Sequence, residues 1–330
     1  MQSPPGDRPH NFHEGKKPMS AVGELASIVS SRKKGGAKEK HPDNKSAAVF
    51  MTPWLLGFLG ITLIPMIASF ALAFTDYSLL APPEFVGLEN IKQMISDTRL
   101  HNSLVVTFIY VFVGTPLQLI AALLLAVLLN QGMKGLSFYR SIFYLPSLLG
   151  GSVAIAILWR QMFGANGLIN QVAGMFGFTD LPGWVSNPDT ALGTIILLHV
   201  WTFGSPMIIF LAGLRQIPEM YYEAASVDGA STMTKFFRIT IPLLTPIIFF
   251  NVVLQVINAF QSFTQAFVVS GGTGGPSDST MFYTLYLYQK GFTQFDMGYA
   301  SAMAWLLLII VAFFTAINFF VSKFWVFYDD

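Results

Sequence analysis

The stretch MGYASAMAWLLLIIVAFFTAINFFVS, residues 297–322, contains no Asp, Glu, Lys or Arg. A helix needs about 20 mainly apolar residues to cross the hydrocarbon core of a bilayer, whereas a run of about 10–14 suits a buried helix of a soluble protein. Five more charge-free, mainly apolar runs precede it, at 46–75, 100–133, 141–159, 190–214 and 239–277. The runs at 100–133 and 239–277 exceed one crossing, so each must include interfacial or loop residues. The expected fold class is all-α: a polytopic membrane protein with spans at about 48–75, 103–130, 141–160, 190–214, 242–270 and 297–322, the fifth tilted or broken. Residues 161–179 are also charge-free but rich in Gly, Asn and Gln, and read as an interfacial loop. The first run follows a long polar tail and is too long for the apolar part of a signal peptide, so it reads as a true span.

Composition agrees. Of 330 residues, 53% are hydrophobic and 11% charged, where soluble domains have about 25% charged residues. The 15% aromatic content excludes a disordered chain. The absence of cysteine excludes a disulfide scaffold, thiolate metal sites and a cysteine nucleophile. A net charge of +1 gives no whole-chain signal for a nucleic-acid partner. Lys and Arg accumulate on the cytoplasmic side of membrane proteins. With the N-terminus inside, 15 of the 19 basic residues fall inside, 9 of them in the tail 1–45. Both termini are therefore expected in the cytoplasm. The tail reads as disordered and basic, and Ala21, Val22, Leu25, Ile28 and Val29 are spaced for one face of a short membrane-surface helix.

No Gly-Lys-Ser/Thr phosphate cradle occurs, and the loops hold no His/Asp/Glu cluster with metal or catalytic spacing. The informative loop is 215–241. Pro218 suits the start of a helix, Glu219 and Glu223 its first turns, and Gly229 a left-handed stop. A second short helix leads to Pro242. The result is a helix–turn–helix with a small-residue surface at Ala224 and Ala225, a shape suited to insertion into a partner's groove.

Glu223-Ala224-Ala225, Gly229 and Ile241-Pro242 closely resemble the EAA loop of ABC-importer permeases. Phe74-Thr75-Asp76-Tyr77, Phe85 to Asn90, Arg140 to Pro146, Gly271 to Ser279 and Gly298 to Ala302 are similar to segments of the maltose-type carbohydrate permeases. The resemblance covers roughly residues 48–326 and implies a type I importer fold in the cytoplasmic membrane of a prokaryote. It also implies a second, distinct permease subunit, two ATPase subunits that hold ATP and Mg, and an extracytoplasmic solute-binding protein. This chain would carry no cofactor and would not be an enzyme. Glu223, Ala224, Ala225, Asp228 and Gly229 would then be the contact and turn residues that couple it to the ATPases.

Polar side chains inside spans are costly unless they face the bundle interior or a cavity. Asn251, Gln255, Asn258 and Ser262 recur at helical spacing and share one face, and amides suit sugar hydroxyls. Trp201, Phe260 and Phe263 are candidate apolar walls of the same pathway. Interhelical packing bonds are the alternative use of such residues, and Gln118, His199 and Asn318, being isolated, are read that way. The spans lack charged groups in their middles, which points to a neutral solute and away from a stand-alone proton-driven carrier. A polyol phosphate or another small polar compound is the alternative solute. No paired acid/base constellation supports a membrane enzyme.

Overall fold

A computed structural model describes residues 43–132, 135–178 and 180–327. The tail through residue 42, with the pattern at 21–29, lies outside the described residues. The chain divides into two compact units, 1–63 and 64–330. The described part of the first is α1 (Asp43–Gly57) and a π-helical turn, Phe58–Leu63, with Trp54 stacked on Phe58 at 5.5 Å between ring centroids.

The second unit begins with α2 (Ile64–Leu72) and α3 (Glu89–Ser96). Next come α4 (Thr98–Ile109), the π-turn Tyr110–Gly114 and α5 (Thr115–Leu129). Then follow α6 (Leu136–Leu149), α7 (Val153–Met162), α8 (Leu168–Met175), α9 (Pro188–Trp201) and α10 (Gly204–Leu214). The last part holds α11 (Glu219–Val227), α12 (Thr232–Lys235), the π-turn Phe236–Thr240, α13 (Ile241–Phe260), α14 (Thr264–Val269), α15 (Tyr283–Tyr288) and α16 (Met297–Ser322).

Among the described residues, four helical runs are long and apolar enough to cross a membrane: Val49–Leu72, Thr98–Leu129, Thr232–Phe260 and Met297–Ser322. Two bent pairs, α6 with α7 and α9 with α10, qualify when each is taken as one span, giving six.

The third span, read from sequence as one crossing, is bent by 94° between α6 and α7. Pro146 withdraws a backbone donor from α6, Gly150 and Gly151 are poor helix formers, and Ser152 starts α7 afresh by accepting from the Ile155 N–H at 3.3 Å. The fifth helical run starts at Thr232, earlier than Pro242, and ends at Phe260. Proline normally breaks a helix because it lacks the N–H for the carbonyl four residues back. Here the preceding turn is π-helical, with the Ile241 N–H reaching Phe236 O, so the ladder is already re-registered where Pro242 enters. Pro116 follows the π-turn of the second span in the same way.

Two apolar clusters hold the second unit. One centres on Tyr110, Ile195, Phe282, Tyr283, Tyr299 and Met303, the other on Ala126, Leu129, Met207, Phe210, Leu211 and Leu244. Backbones meet closely at Gly204, where an added Cβ would lie 2.5 Å from Phe143 O.

Polar side chains lock the end of the bundle where α4 begins. Asp97 caps α4 by accepting from the N–H groups of Arg99 and Leu100, both at 3.0 Å. Its Oδ2 accepts from Tyr286 Oη at 2.7 Å and Tyr299 Oη at 2.8 Å. Lys290 Nζ sits 5.5 Å and 5.1 Å from the centroids of those two rings. Burial alone would raise the Asp97 carboxyl, but the bonds from Tyr286, the Leu100 N–H and Tyr299, with Lys290 nearby, together hold it below the ordinary carboxylate value. Arg99 grips Asp278 with two bonds of 2.9 Å, anchoring the turn after α14. In that turn Ser277 and Asp278 take φ of 52° and 56°, a region L-residues rarely adopt.

Candidate solute cavity and coupling loop

Helix discontinuities in four spans converge on one place. They are the π-turn Tyr110–Gly114, the α6–α7 break at Gly150, the α9–α10 break at Thr202 and the end of α13 before Ser262. Between them lies a cavity of about 250 Å³ whose wall includes Gln255, Asn258 and Ser262 with Gln118, His199 and Thr202. Interrupted spans free backbone groups that hydrocarbon cannot solvate, so polar side chains must meet them. The Thr202 carbonyl accepts from Gln118 Nε2 at 3.1 Å and from Ser147 Oγ at 2.8 Å. Ser147 Oγ in turn accepts from the Ser205 N–H at 2.8 Å. Gln265 Nε2 donates to Gly150 O at 3.3 Å, and Tyr110 Oη reaches Ser262 Oγ at 3.4 Å. Gly114, at the end of the π-turn, leaves room for the His199 ring: a Cβ there would lie 3.1 Å from His199 Cδ2.

The wall has unspent hydrogen-bonding capacity. Gln118 Oε1 and His199 Nε2 are buried and have no hydrogen-bond partner among the described residues. Among those residues, no Asp, Glu, Lys or Arg lines the cavity. Such a wall can exchange hydrogen bonds with a neutral polyhydroxyl solute or with water, and it has no fixed charge to pair with an ion.

The structure brings Gln255, Asn258 and Ser262 to the cavity and leaves Asn251 out. Asn251 is fully buried and donates through Nδ2 to Ile247 O of its own helix at 3.1 Å. Ser262 lies beyond the end of α13 yet stays in line, because its N–H closes a turn onto Ala259 O at 3.1 Å. Trp201 does not line the cavity; its ring packs beside Trp159 at 6.0 Å. Phe260 packs with Phe108 and Phe314, and Phe263 with Phe267 and Tyr288. Gln118 and His199, read from sequence as packing groups, stand in the cavity wall. A lone amide or imidazole in an apolar run is itself a signal of a cavity, but only tertiary packing shows that the two face each other.

The loop residues sit on α11 and its end. Glu223 and Ala224 are exposed on α11, and Ala225 is partly exposed. Asp228 is the C-cap, and Gly229 follows with φ of 74°. The N–H of Ala230 reaches Ala225 O at 2.9 Å and that of Gly229 reaches Ser226 O at 3.1 Å, the paired bonds of a Schellman stop. Ser231 then caps α12 through the Thr234 N–H. Lys235 Nζ bonds Ser226 Oγ at 2.6 Å, and Tyr222 Oη bonds Thr240 Oγ1 at 2.9 Å, so α11 is tied to the base of the fifth span. Met220 and Val227 remain exposed on α11, an apolar surface with no cover among the described residues.

The family model described as binding-protein-dependent transport system inner membrane component matches residues 98–325. The chain is 53% identical over 289 residues to a probable ABC transporter permease protein of Bacillus subtilis (strain 168), YesP, covering 87% of this chain and 94% of that one. It is 32% identical to the arabinooligosaccharides transport system permease protein AraP of the same organism, covering 89% and 94%. Among solved structures, it resembles a chain of the bacterial alginate ABC transporter in complex with alginate pentasaccharide-bound periplasmic protein. The TM-score is 0.72 at 21% identity, over 85% of this chain and 94% of that one. The all-helical architecture is thus that of an ABC-importer permease, and the chain belongs to the family of binding-protein-dependent transport system inner membrane components.

Proposed function

We propose that this chain is one permease subunit of an ATP-driven importer that moves a neutral carbohydrate across the cytoplasmic membrane, and that the cavity at the four helix breaks is part of its solute pathway. The observation that carries the reading is the cavity wall, built from Gln118, His199, Thr202, Gln255, Asn258 and Ser262 and free of charge. Relatives named for arabinooligosaccharides, lactose and trehalose/maltose transport support a sugar or oligosaccharide as the solute. The cavity volume suits a small polyhydroxyl unit rather than a long chain.

In this reading ATP and Mg belong to two partner ATPases, and α11 is the part they grip. Glu223, Ala224, Ala225, Asp228 and Gly229 form the docking surface and its stop, with Met220 and Val227 as apolar anchors. A second, distinct permease completes the pathway, and an external binding protein delivers the solute. Closure of the ATPases on ATP moves the docked helices, and the permeases switch between two access states as rigid bodies. Both chain termini lie in the cytoplasm.

The test is reconstitution. The tagged chain, co-expressed with the proposed partner permease and ATPases, is purified and placed in liposomes with ATP inside and the binding protein outside. Uptake of a labelled oligosaccharide that depends on ATP and on the binding protein is expected. Purification without an ATPase would overturn the coupling role, and ATP-independent uptake would favour a carrier working alone.

A further inference from the structure

The short helix α3 stands at the opposite end of the bundle from α11. Wound at about 100° per residue, Leu88 to Ser96 divide into three arcs. Asn90 and Met94, each 7% exposed, form the arc that packs onto the bundle. Asn90 Nδ2 donates to Ala73 O and Thr75 O, both at 2.9 Å, which pins α3 to the residues just past α2. Glu89, Lys92, Gln93 and Ser96 form a polar arc, with Lys92 and Glu89 paired at 3.5 Å. The remaining arc is apolar and uncovered: Leu88, Ile91 and Ile95, the last 72% exposed. Phe85, 80% exposed, extends it, and a bridge to Thr75 sets it at the level where the first span ends.

We infer that α3 is an interfacial helix whose Leu88, Ile91 and Ile95, with Phe85, sit in the acyl–headgroup boundary of the lipid bilayer. The apolar arc adjoins the buried arc. α3 packs on α16, and α2 and α16 themselves expose Ile67, Phe70, Ile309 and Phe313 within runs long and apolar enough to cross a membrane. The polar arc turns to water, and Lys92 stands at its border with the apolar arc, where a long cationic side chain reaches headgroups. Asn90 and the Thr75–Phe85 bridge hold this apolar arc beside the end of a span, the level at which the acyl–headgroup boundary lies.

The natural absence of cysteine makes the test direct. The variants Glu89→Cys, Gln93→Cys, Ile91→Cys and Ile95→Cys are made in the full chain within the assembled transporter. A membrane-permeant maleimide is added to proteoliposomes, and the modified chain is followed by its shift on a gel. Thiols react as thiolates, which apolar surroundings suppress, so positions 91 and 95 should label at least about tenfold more slowly than 89 and 93. Solubilisation in detergent followed by brief unfolding should bring all four to the same rate. In folded, detergent-exchanged protein, exchange of lipid for short-chain detergent should speed labelling at 91 and 95 only. Equal rates in proteoliposomes would overturn the inference. So would protection that requires the binding protein, or protection at 91 and 95 that survives lipid removal, since either means a protein covers this face.

Discussion

Replacing Asp97 by Asn changes one oxygen to an amino group and leaves the shape intact. The cap on α4 survives, because the amide oxygen can still accept from the Arg99 and Leu100 N–H groups and Asn is a good cap. At the other atom the charge-assisted bonds of 2.7 Å and 2.8 Å from Tyr286 and Tyr299 are replaced at best by reversed, neutral ones, in which the new amide NH2 donates to the two phenol oxygens. Hydrogen bonds to a charged group are worth about 1.5–3 kcal/mol each. Neutral bonds are worth about 0.5–1.5 kcal/mol, so the exchange costs about 1–1.5 kcal/mol at each phenol, and because the site is only half-buried the total loss expected is roughly 1–3 kcal/mol. Thermal unfolding of the purified transporter measures it, with Tyr286→Phe and Tyr299→Phe alone and combined with Asp97→Asn. Each Tyr→Phe change should destabilise the natural chain and cost clearly less in the Asp97→Asn background, where only a neutral bond remains to be removed, a coupling that double-mutant cycles isolate. The depressed carboxyl sets the pH dependence. Its stabilisation is complete above the unfolded value of about 3.9 and is lost as pH falls through the lower folded value, so the Asp97→Asn variant should lack that acid limb. Equal Tyr→Phe costs in both backgrounds, or an unchanged acid limb, would refute the reasoning.

Four further outcomes are expected. Glu223→Lys reverses a charge on the exposed face of α11 without touching the core, so it should abolish ATP-dependent uptake while the chain still inserts and folds, as read by transport and by size-exclusion of the tagged chain. Gln255→Leu and Asn258→Leu each remove neutral hydrogen bonds from the cavity wall, worth about 0.5–1.5 kcal/mol apiece, and should raise the KM for solute by roughly 3–10-fold without changing basal ATPase activity. A Cβ at Gly229 would meet no atom within 4 Å, so the penalty of Gly229→Ala is the left-handed backbone alone, about 1–2 kcal/mol; uptake should fall, and Gly229→Asn should retain more of it. A proton uncoupler should leave uptake unchanged when internal ATP is held constant, because among the described residues no Asp, Glu, Lys or Arg lines the cavity.

The spans were legible because a bilayer imposes a length and a polarity that few other folds require. Residues 297–322 are a helix over the same residues as the apolar run. The interruptions were harder to read. Gly150-Gly151 looks like a tolerated pair inside a span until Ser152 is seen to start a new helix. Thr202 carries no breaking residue type at all; its freed carbonyl is stable only because Gln118 and Ser147 arrive from other spans. Pro242 is a sound start signal in isolation, and the π-turn before it overrides that signal. The same logic divides the cavity. Gln255 and Asn258 share a helix and announce themselves by period, whereas Tyr110 and Gln118 of the second span and His199 of the fourth join them only through packing.

The run from Thr232 to Phe260 counts 29 residues, so as one helix it is a rod of roughly 43 Å. One tip carries Lys235, bonded to α11, and the other carries Asn258 in the cavity wall. If α11 couples the chain to the ATPases as proposed, the rod is a lever arm. A tilt of about 5° about its base sweeps the far tip through roughly 3–4 Å, longer than a hydrogen bond. A small rocking of α11 is therefore enough to exchange which partners Gln255 and Asn258 can reach, with no bond inside the rod needing to break.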